Sequence, residues 1–227
     1  MLLMAKILRA LFSPEVSCAA AALVFGAAWM KPEFIGTEAF PGLIFFYFFE
    51  LLLFLHEAGF AMAASSRSRE VFGSVRHAVF YVYGIAALVL NATLGSLWPL
   101  VLFLARALPL WLAPGINFET LTDEDEEWFD LRAVRYGVLP LLLWGESFFL
   151  GHIMSGGSGG ITREIAAQTS DRMSEIVKWF KPETIAPLII AGAVYYSLLL
   201  LGHLFFLGDE GLFMTYLRRS GRLKHIK

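Results

Sequence analysis

Seven ionisable side chains stand in stretches of the chain that are otherwise almost free of charge: Glu50, His56, Glu57, Arg106, Glu146, His152 and His203. Charge at bilayer depth is costly unless paired, so each of these residues needs a reason to be there. Three of them, Glu50, Arg106 and Glu146, fall near the middle of their apolar stretches. A planar guanidinium between two carboxylates can fill its fork with both. Two acids around one Arg leave an extra negative charge, which favours keeping a proton on one acid. Such a cluster can serve proton coupling, or it can be a static lock between helices. Snorkelling of Arg106 toward Trp111, five residues on, is the plainer alternative.

The histidines suggest relay or ligand chemistry. His56 and His203 sit toward the same end of their stretches, and His152 toward the other. Paired histidines at matching depth are the requirement for a b-type haem. His56-Glu57 begins like the zinc-protease helix signature, but Phe60 stands where the second His would be, so that motif is absent. Five histidines are too few for a His-rich di-iron site. No metal site and no catalytic residue is therefore assigned. Glu50 and His56 are six residues apart, as are Glu146 and His152, an echo that an inverted repeat could leave. Six residues turn a helix by about 600°, so Glu and His do not share a face in either pair.

The elements that would carry these residues are membrane helices. The 227-residue chain is 57% hydrophobic and 17% charged, against about 25% charged in soluble domains. Its charges are gathered in short clusters between long apolar runs. Its 21 Phe, 6 Trp and 7 Tyr suit lipid-facing and interfacial positions. The expected architecture is all-α: one polytopic domain over 1–227, with spans at about 14–30, 41–64, 77–93, 97–113, 135–154 and 185–207. Two interfacial amphipathic helices are expected beside the six spans. One covers 2–12, with Leu3, Ile7, Leu8, Leu11 and Phe12 on one face. The other covers 162–180, with Ile165, Thr169, Met173, Ile176, Val177 and Phe180 at helical spacing. The apolar run 77–114 is too long for one span, and Asn91–Ser96 offers turn chemistry at its middle.

Charge bias supports this split. With six spans and an internal N-terminus, the inner segments carry Lys6 and Arg9, then Arg67, Arg69 and Arg76, then Arg132 and Arg135, then five cations from Arg218 onward, twelve in all. The outer segments carry Lys31, Arg163, Arg172, Lys178 and Lys181, five in all. Treating 77–114 as one span gives nine against eight. The positive-inside rule therefore selects six spans with both termini cytoplasmic.

The remaining features are read conservatively. Residues 113–135 hold a run of acids with Thr122 placed as a cap, a solvated helix start; no central Gly makes it a calcium loop. Ser155–Gly160 is a flexible tract. Cys18 stands alone, which excludes an internal disulfide and a Cys-based zinc or iron–sulfur site. Glu15 stands where a lipoprotein signal needs an apolar residue, and Ser13-Pro14-Glu15 interrupts the signal-peptide pattern, so a retained first helix is expected. No basic stripe with interleaved aromatics points to nucleic acid.

Ile44-Phe45-Phe46-Tyr47-Phe48-Phe49-Glu50 resembles the aromatic-aromatic-x-Glu signature in the second span of a family of bacterial multi-spanning membrane proteins that have no assigned activity. Trp144-Gly145-Glu146-Ser147-Phe148-Phe149 resembles that family's second signature, in which the position of Trp144 is usually His. The resemblance covers these two patches and departs at Trp144 and in the last span. It implies a bacterial inner-membrane location and brings no activity with it.

The function expected from these observations is a non-catalytic structural or accessory component of a membrane complex, in contact with lipid and with further subunits or copies of itself. The rival is a small proton-coupled transporter or ion-conducting protein that uses the intramembrane Glu, Arg and His residues. A b-type haem protein is the third reading. The topology makes a direct prediction. Single cysteines at residue 94 and within 155–184 should react with an impermeant thiol reagent from outside, and those within 119–130 and 218–227 only after permeabilisation. Termini labelled from opposite sides would overturn it.

Overall fold

The computed structural model describes residues 14–65, 69–95, 97, 100–101, 137–156, 159–174, 178 and 180–207. Every regular element among them is helical, as the sequence led us to expect. Helix α1 spans Pro14–Met30, opening with a proline and with Glu15 in the first turn, where an acid meets the positive end of the helix dipole. The short α2, Pro32–Ile35, and a 3₁₀ turn, Thr37–Ala39, lead into α3, Phe40–Ser65. Helix α4 spans Arg69–Leu94 and is followed by Gly95 at φ 62°. Helix α5 spans Leu139–Met154, α6 spans Arg163–Ser174 and α7 spans Pro182–Leu201, running on into a π-helical turn, Gly202–Leu207.

Helix α4 begins at Arg69, eight residues ahead of the start expected at 77. The apolar run marks where hydropathy rises, but backbone helix extends through the polar turn before it. One helix among the described residues, Pro182–Phe205, is long and apolar enough to cross a bilayer, with 24 residues and a mean hydropathy of 2.0. Its length of about 36 Å exceeds a hydrocarbon core of about 30 Å. Glu15–Met30, Tyr81–Thr93 and Leu139–Met154 are apolar but shorter. The expected segment 2–12, the acidic loop 113–135 and nearly all of the expected span 97–113 lie outside the described residues.

Helix α7 is the hub. It packs on α5, α1, α6 and α3, while α4 packs on α3. Its inner residues Ile185, Leu188, Ile189, Ile190, Ala191, Tyr195, Tyr196 and Leu199 are buried, nearly all around the helix, as expected for the central member of a bundle. Two glycines permit its closest contacts. A Cβ at Gly192 would run into the ring of Phe25 on α1. One at Gly151 on α5 would run into the Pro187 carbonyl and Ala191 of α7.

The connection from α5 to α6 departs from the flexible tract expected at Ser155–Gly160. Gly160 N–H donates to the Trp29 carbonyl at the end of α1 (2.9 Å). Gly159 has φ 61°, and a side chain there would press on the Trp29 indole and carbonyl. This part of the tract is docked, and it uses glycine for close approach and left-handed backbone rather than for freedom. Helix α6 also differs from a helix lying free on a bilayer. Thr162 Oγ1 caps it by accepting from Ile165 N–H (3.3 Å). Ala166, Thr169, Ser170 and Met173 are buried against the bundle. Ser170 Oγ donates to the Phe180 carbonyl (2.8 Å), and Phe180 sets its ring edge-on against Phe45 and Phe48 of α3.

Overpacking a tight core contact costs about 1–3 kcal/mol. Gly192→Val and Gly151→Val should each lower the thermal unfolding midpoint of the purified protein by that equivalent. Gly26→Ala should not, since a Cβ there meets nothing within 4 Å. Equal tolerance at all three sites would contradict the packing described.

Candidate functional site: a buried carboxylate between two helices

The middle of α3 is an aromatic run interrupted by one acid, Glu50, which is fully buried. A buried carboxylate needs donors at its own depth. Two come from adjacent residues of α7. Tyr195 Oη–H donates to Glu50 Oε2 (3.1 Å), and Tyr196 Oη–H donates to Glu50 Oε1 (3.0 Å). Neighbouring residues on a helix diverge by about 100°, so two consecutive phenols can close on one carboxylate only by straddling it. Their rings sit 4.8 Å apart and nearly perpendicular.

Aromatic packing sets both phenols. Tyr196 lies between Phe25 of α1 (5.5 Å between centroids) and Phe46 of α3 (5.7 Å, stacked). Tyr195 meets Tyr47 and Phe54 of α3 edge-on. The bare Cα of Gly192, one turn before Tyr196, lets Phe25 reach this position.

A second polar contact ties α3 to α5 beside the first. Trp144 Nε1–H donates to the Tyr47 carbonyl (3.0 Å), while Tyr47 Oη–H lies 3.0 Å from the Trp144 carbonyl and 2.9 Å from Ser147 Oγ. Ser147 Oγ–H also reaches the Trp144 carbonyl (2.8 Å). The Tyr47 and Trp144 rings stack at 5.2 Å and 19°. The tyrosine and tryptophan therefore hold one another's backbone.

Of the acids singled out by sequence, the two with described side chains differ in setting. Glu50 is enclosed between α3 and α7, whereas Glu146 is exposed on α5, one residue from the buried Ser147. Arg106 lies outside the described residues. His203 is buried in the π-helical turn that follows α7, and His152 is exposed near the end of α5. His56 and Glu57 fall within α3, but their side chains lie outside the described residues. Among the described residues, no three His, Cys, Asp or Glu side chains are grouped to hold a metal ion.

The two phenols, the Tyr47–Trp144 clasp and Ser147 were missed as site residues because Tyr and Trp read as membrane-belt residues in an apolar chain. The available signal was depth: Tyr195-Tyr196 stand well inside their helix, where a phenol needs a polar partner. Comparison of the chain with protein-family models, curated proteins and solved structures finds no match.

Leaving a buried acceptor without its donor costs about 1–3 kcal/mol, while replacing all partners by apolar groups can be close to neutral. Tyr195→Phe and Tyr196→Phe should each lower thermal stability by about that amount, and the double variant by more. Adding Glu50→Met to the double variant should restore part of the loss. If the triple variant is less stable than the double, the carboxylate–phenol contact is not the source of the effect.

Proposed function

We propose that this chain is a multi-pass bacterial inner-membrane protein that acts as a non-catalytic structural or accessory component, with Glu50 as a fixed lock between α3 and α7. The observation that carries the proposal is the inverted polarity of the bundle. Its one fully buried carboxylate among the described residues is satisfied from within. Its outer surface carries large apolar side chains on several helices, including Leu23 on α1, Tyr81, Ile85 and Leu88 on α4, Phe149 on α5 and Phe205 after α7. In water, apolar surface on this scale marks interaction with something else. In a bilayer it is the ordinary state of a lipid-facing wall. The apolar stretches of α1, α4 and α5, shorter than that of α7, supply spans when their flanking turns and tilts are included.

Both Glu50 oxygens are engaged by phenols fixed in an aromatic cage, which is the arrangement of a lock. A carrier that loads and unloads a proton needs a carboxylate that can exchange its partners. Membrane fractionation with carbonate extraction tests the location, and reconstitution into proteoliposomes tests the role. The protein should remain with the extracted membranes. Vesicles containing it should show proton flux no greater than empty vesicles. Glu50→Gln should lower the melting temperature without altering any ion signal. Proton uptake that depends on Glu50 would replace this reading with the proton-coupled transporter.

A further inference from the structure

Four oxidisable rings of the core form one continuous column. Trp144 of α5 stacks on Tyr47 of α3 at 5.2 Å, Tyr47 meets Tyr195 of α7 at 6.0 Å, and Tyr195 meets Tyr196 at 4.8 Å. The two ends of the column differ in access. Trp144 is half-buried, and its other stacking neighbour, Phe148, stands 39% exposed on the outer wall. Tyr195 and Tyr196 are fully buried. Indole and phenol are among the side chains that yield a single electron, and each then becomes strongly acidic at its N–H or O–H. The oxidised ring is trapped only where a base already accepts that hydrogen bond. Along the column the acceptors rise in basicity. Trp144 Nε1–H points at an amide carbonyl (3.0 Å). Tyr47 Oη lies against another carbonyl and the Ser147 hydroxyl. Tyr195 and Tyr196 donate to the two oxygens of a carboxylate (3.1 and 3.0 Å). Carbonyl and alcohol oxygens are poor proton acceptors, whereas a carboxylate takes a proton readily.

We infer that this column is a one-electron relay, which carries oxidising equivalents from the outer wall at α5 inward to the two phenols, where Glu50 accepts the proton that traps them. The oxidant is a lipid peroxyl radical, so the inference rests on the membrane reading proposed above. The peroxyl radical takes one electron from the Trp144 indole and, with a proton from the aqueous boundary, becomes a hydroperoxide. An electron from Tyr47 refills the indole, and one from Tyr195 or Tyr196 refills Tyr47. At that last phenol the O–H bond breaks, a new O–H bond forms on the Glu50 carboxylate, and a neutral phenoxyl radical remains. One peroxyl radical is reduced and one phenol is oxidised, and the proton taken from water balances the negative charge that Glu50 loses. Neutralising a buried carboxylate is favourable in an apolar interior. The proton moves along a hydrogen bond already made, so neither Glu50 oxygen changes partner and the lock between α3 and α7 is kept. The relay ends at rings that no second lipid radical can touch, and the lipid chain reaction stops there.

The test uses the full chain in liposomes of polyunsaturated phosphatidylcholine. A lipid-soluble azo initiator in air supplies peroxyl radicals, and frozen samples are read by electron paramagnetic resonance. The unsubstituted chain should give a phenoxyl signal that narrows when the protein carries ring-deuterated tyrosine. Protein produced in heavy water should lose a coupling to one exchangeable proton, the proton that Glu50 holds against the phenoxyl oxygen. Tyr195→Phe combined with Tyr196→Phe should abolish the signal, and so should Glu50→Gln, which removes the base. Trp144→Phe should slow its appearance. Tyr81→Phe, on an exposed tyrosine of α4, should leave it unchanged. Absence of a phenoxyl signal in the unsubstituted chain, or its loss in Tyr81→Phe, overturns the inference. Should the double variant fail to fold, the heavy-water measurement decides, since a phenoxyl without the exchangeable coupling is not at Glu50 and overturns it equally. Any of these failures with the protein still in carbonate-extracted membranes leaves the membrane reading standing. Recovery in the soluble fraction overturns that reading, and the inference with it.

Discussion

Burying an acid sets terms for everything around it. Glu50 can remain inside the bundle only while both of its oxygens have donors, and each oxygen takes one from two consecutive residues of a helix distant in sequence. A helix that must straddle a carboxylate with adjacent side chains has its rotation fixed, because turning it by one residue removes one phenol and misaims the other. Its axial position is fixed as well, because a shift of one turn moves both hydroxyls about 5 Å out of reach. The apolar side chains of α7 away from Gly192 and the Gly151 contact are more permissive about both, since such side chains tolerate rearrangement. The carboxylate is what selects one arrangement from the many that would bury similar area, in the way a single polar layer fixes register in paired helices.

The rest of the core serves that selection. Tyr196 is held by rings on two different helices, so the position of α1 is transmitted to the phenol through Phe25 and the position of α3 through Phe46. Gly192 makes the first of these contacts geometrically possible. Beside this contact, the reciprocal tyrosine–tryptophan bonds position α5 using backbone carbonyls, which cannot change rotamer. Helix α6 and the docked glycines then close the end where α1 finishes and α7 begins.

Much of this was legible in the residues, and the parts that were not share a cause. An acid in an aromatic run stands out against its background, so Glu50 was visible at once. Its partners were not, because a tyrosine in an apolar chain looks the same whether it faces lipid headgroups or a buried charge. The link between them spans 145 residues, and no local pattern reports a contact at that distance. Glu146 was equally visible, but one residue of helix decides whether a side chain faces the core or the outside, and periodicity is weak where nearly every neighbour is apolar. The early start of α4 at Arg69 was hidden for a different reason: the turns ahead of the apolar run are polar, and hydropathy does not report helix there. The serine–glycine tract misled for another reason: composition signals freedom, whereas glycine also serves where two backbones touch, and only the position of Trp29 distinguishes the two.

The order in which the chain is made gives the Glu50 contact a temporal side. Synthesis proceeds at roughly 5–20 residues per second, so the 145 residues between Glu50 and Tyr195 correspond to a wait of roughly 7–30 s. Through most of that interval α1 and α3, joined near its end by α5, exist without the helix that all three pack against, and the acid exists without its phenols. The nascent chain therefore carries an acid that lacks these two hydrogen bonds until α7 emerges. Arrival of α7 is then the step that closes the phenols on the carboxylate. A product that stops short of Tyr195 keeps a mid-helix acid without these two bonds, a mark by which cellular quality control can tell incomplete copies from finished ones.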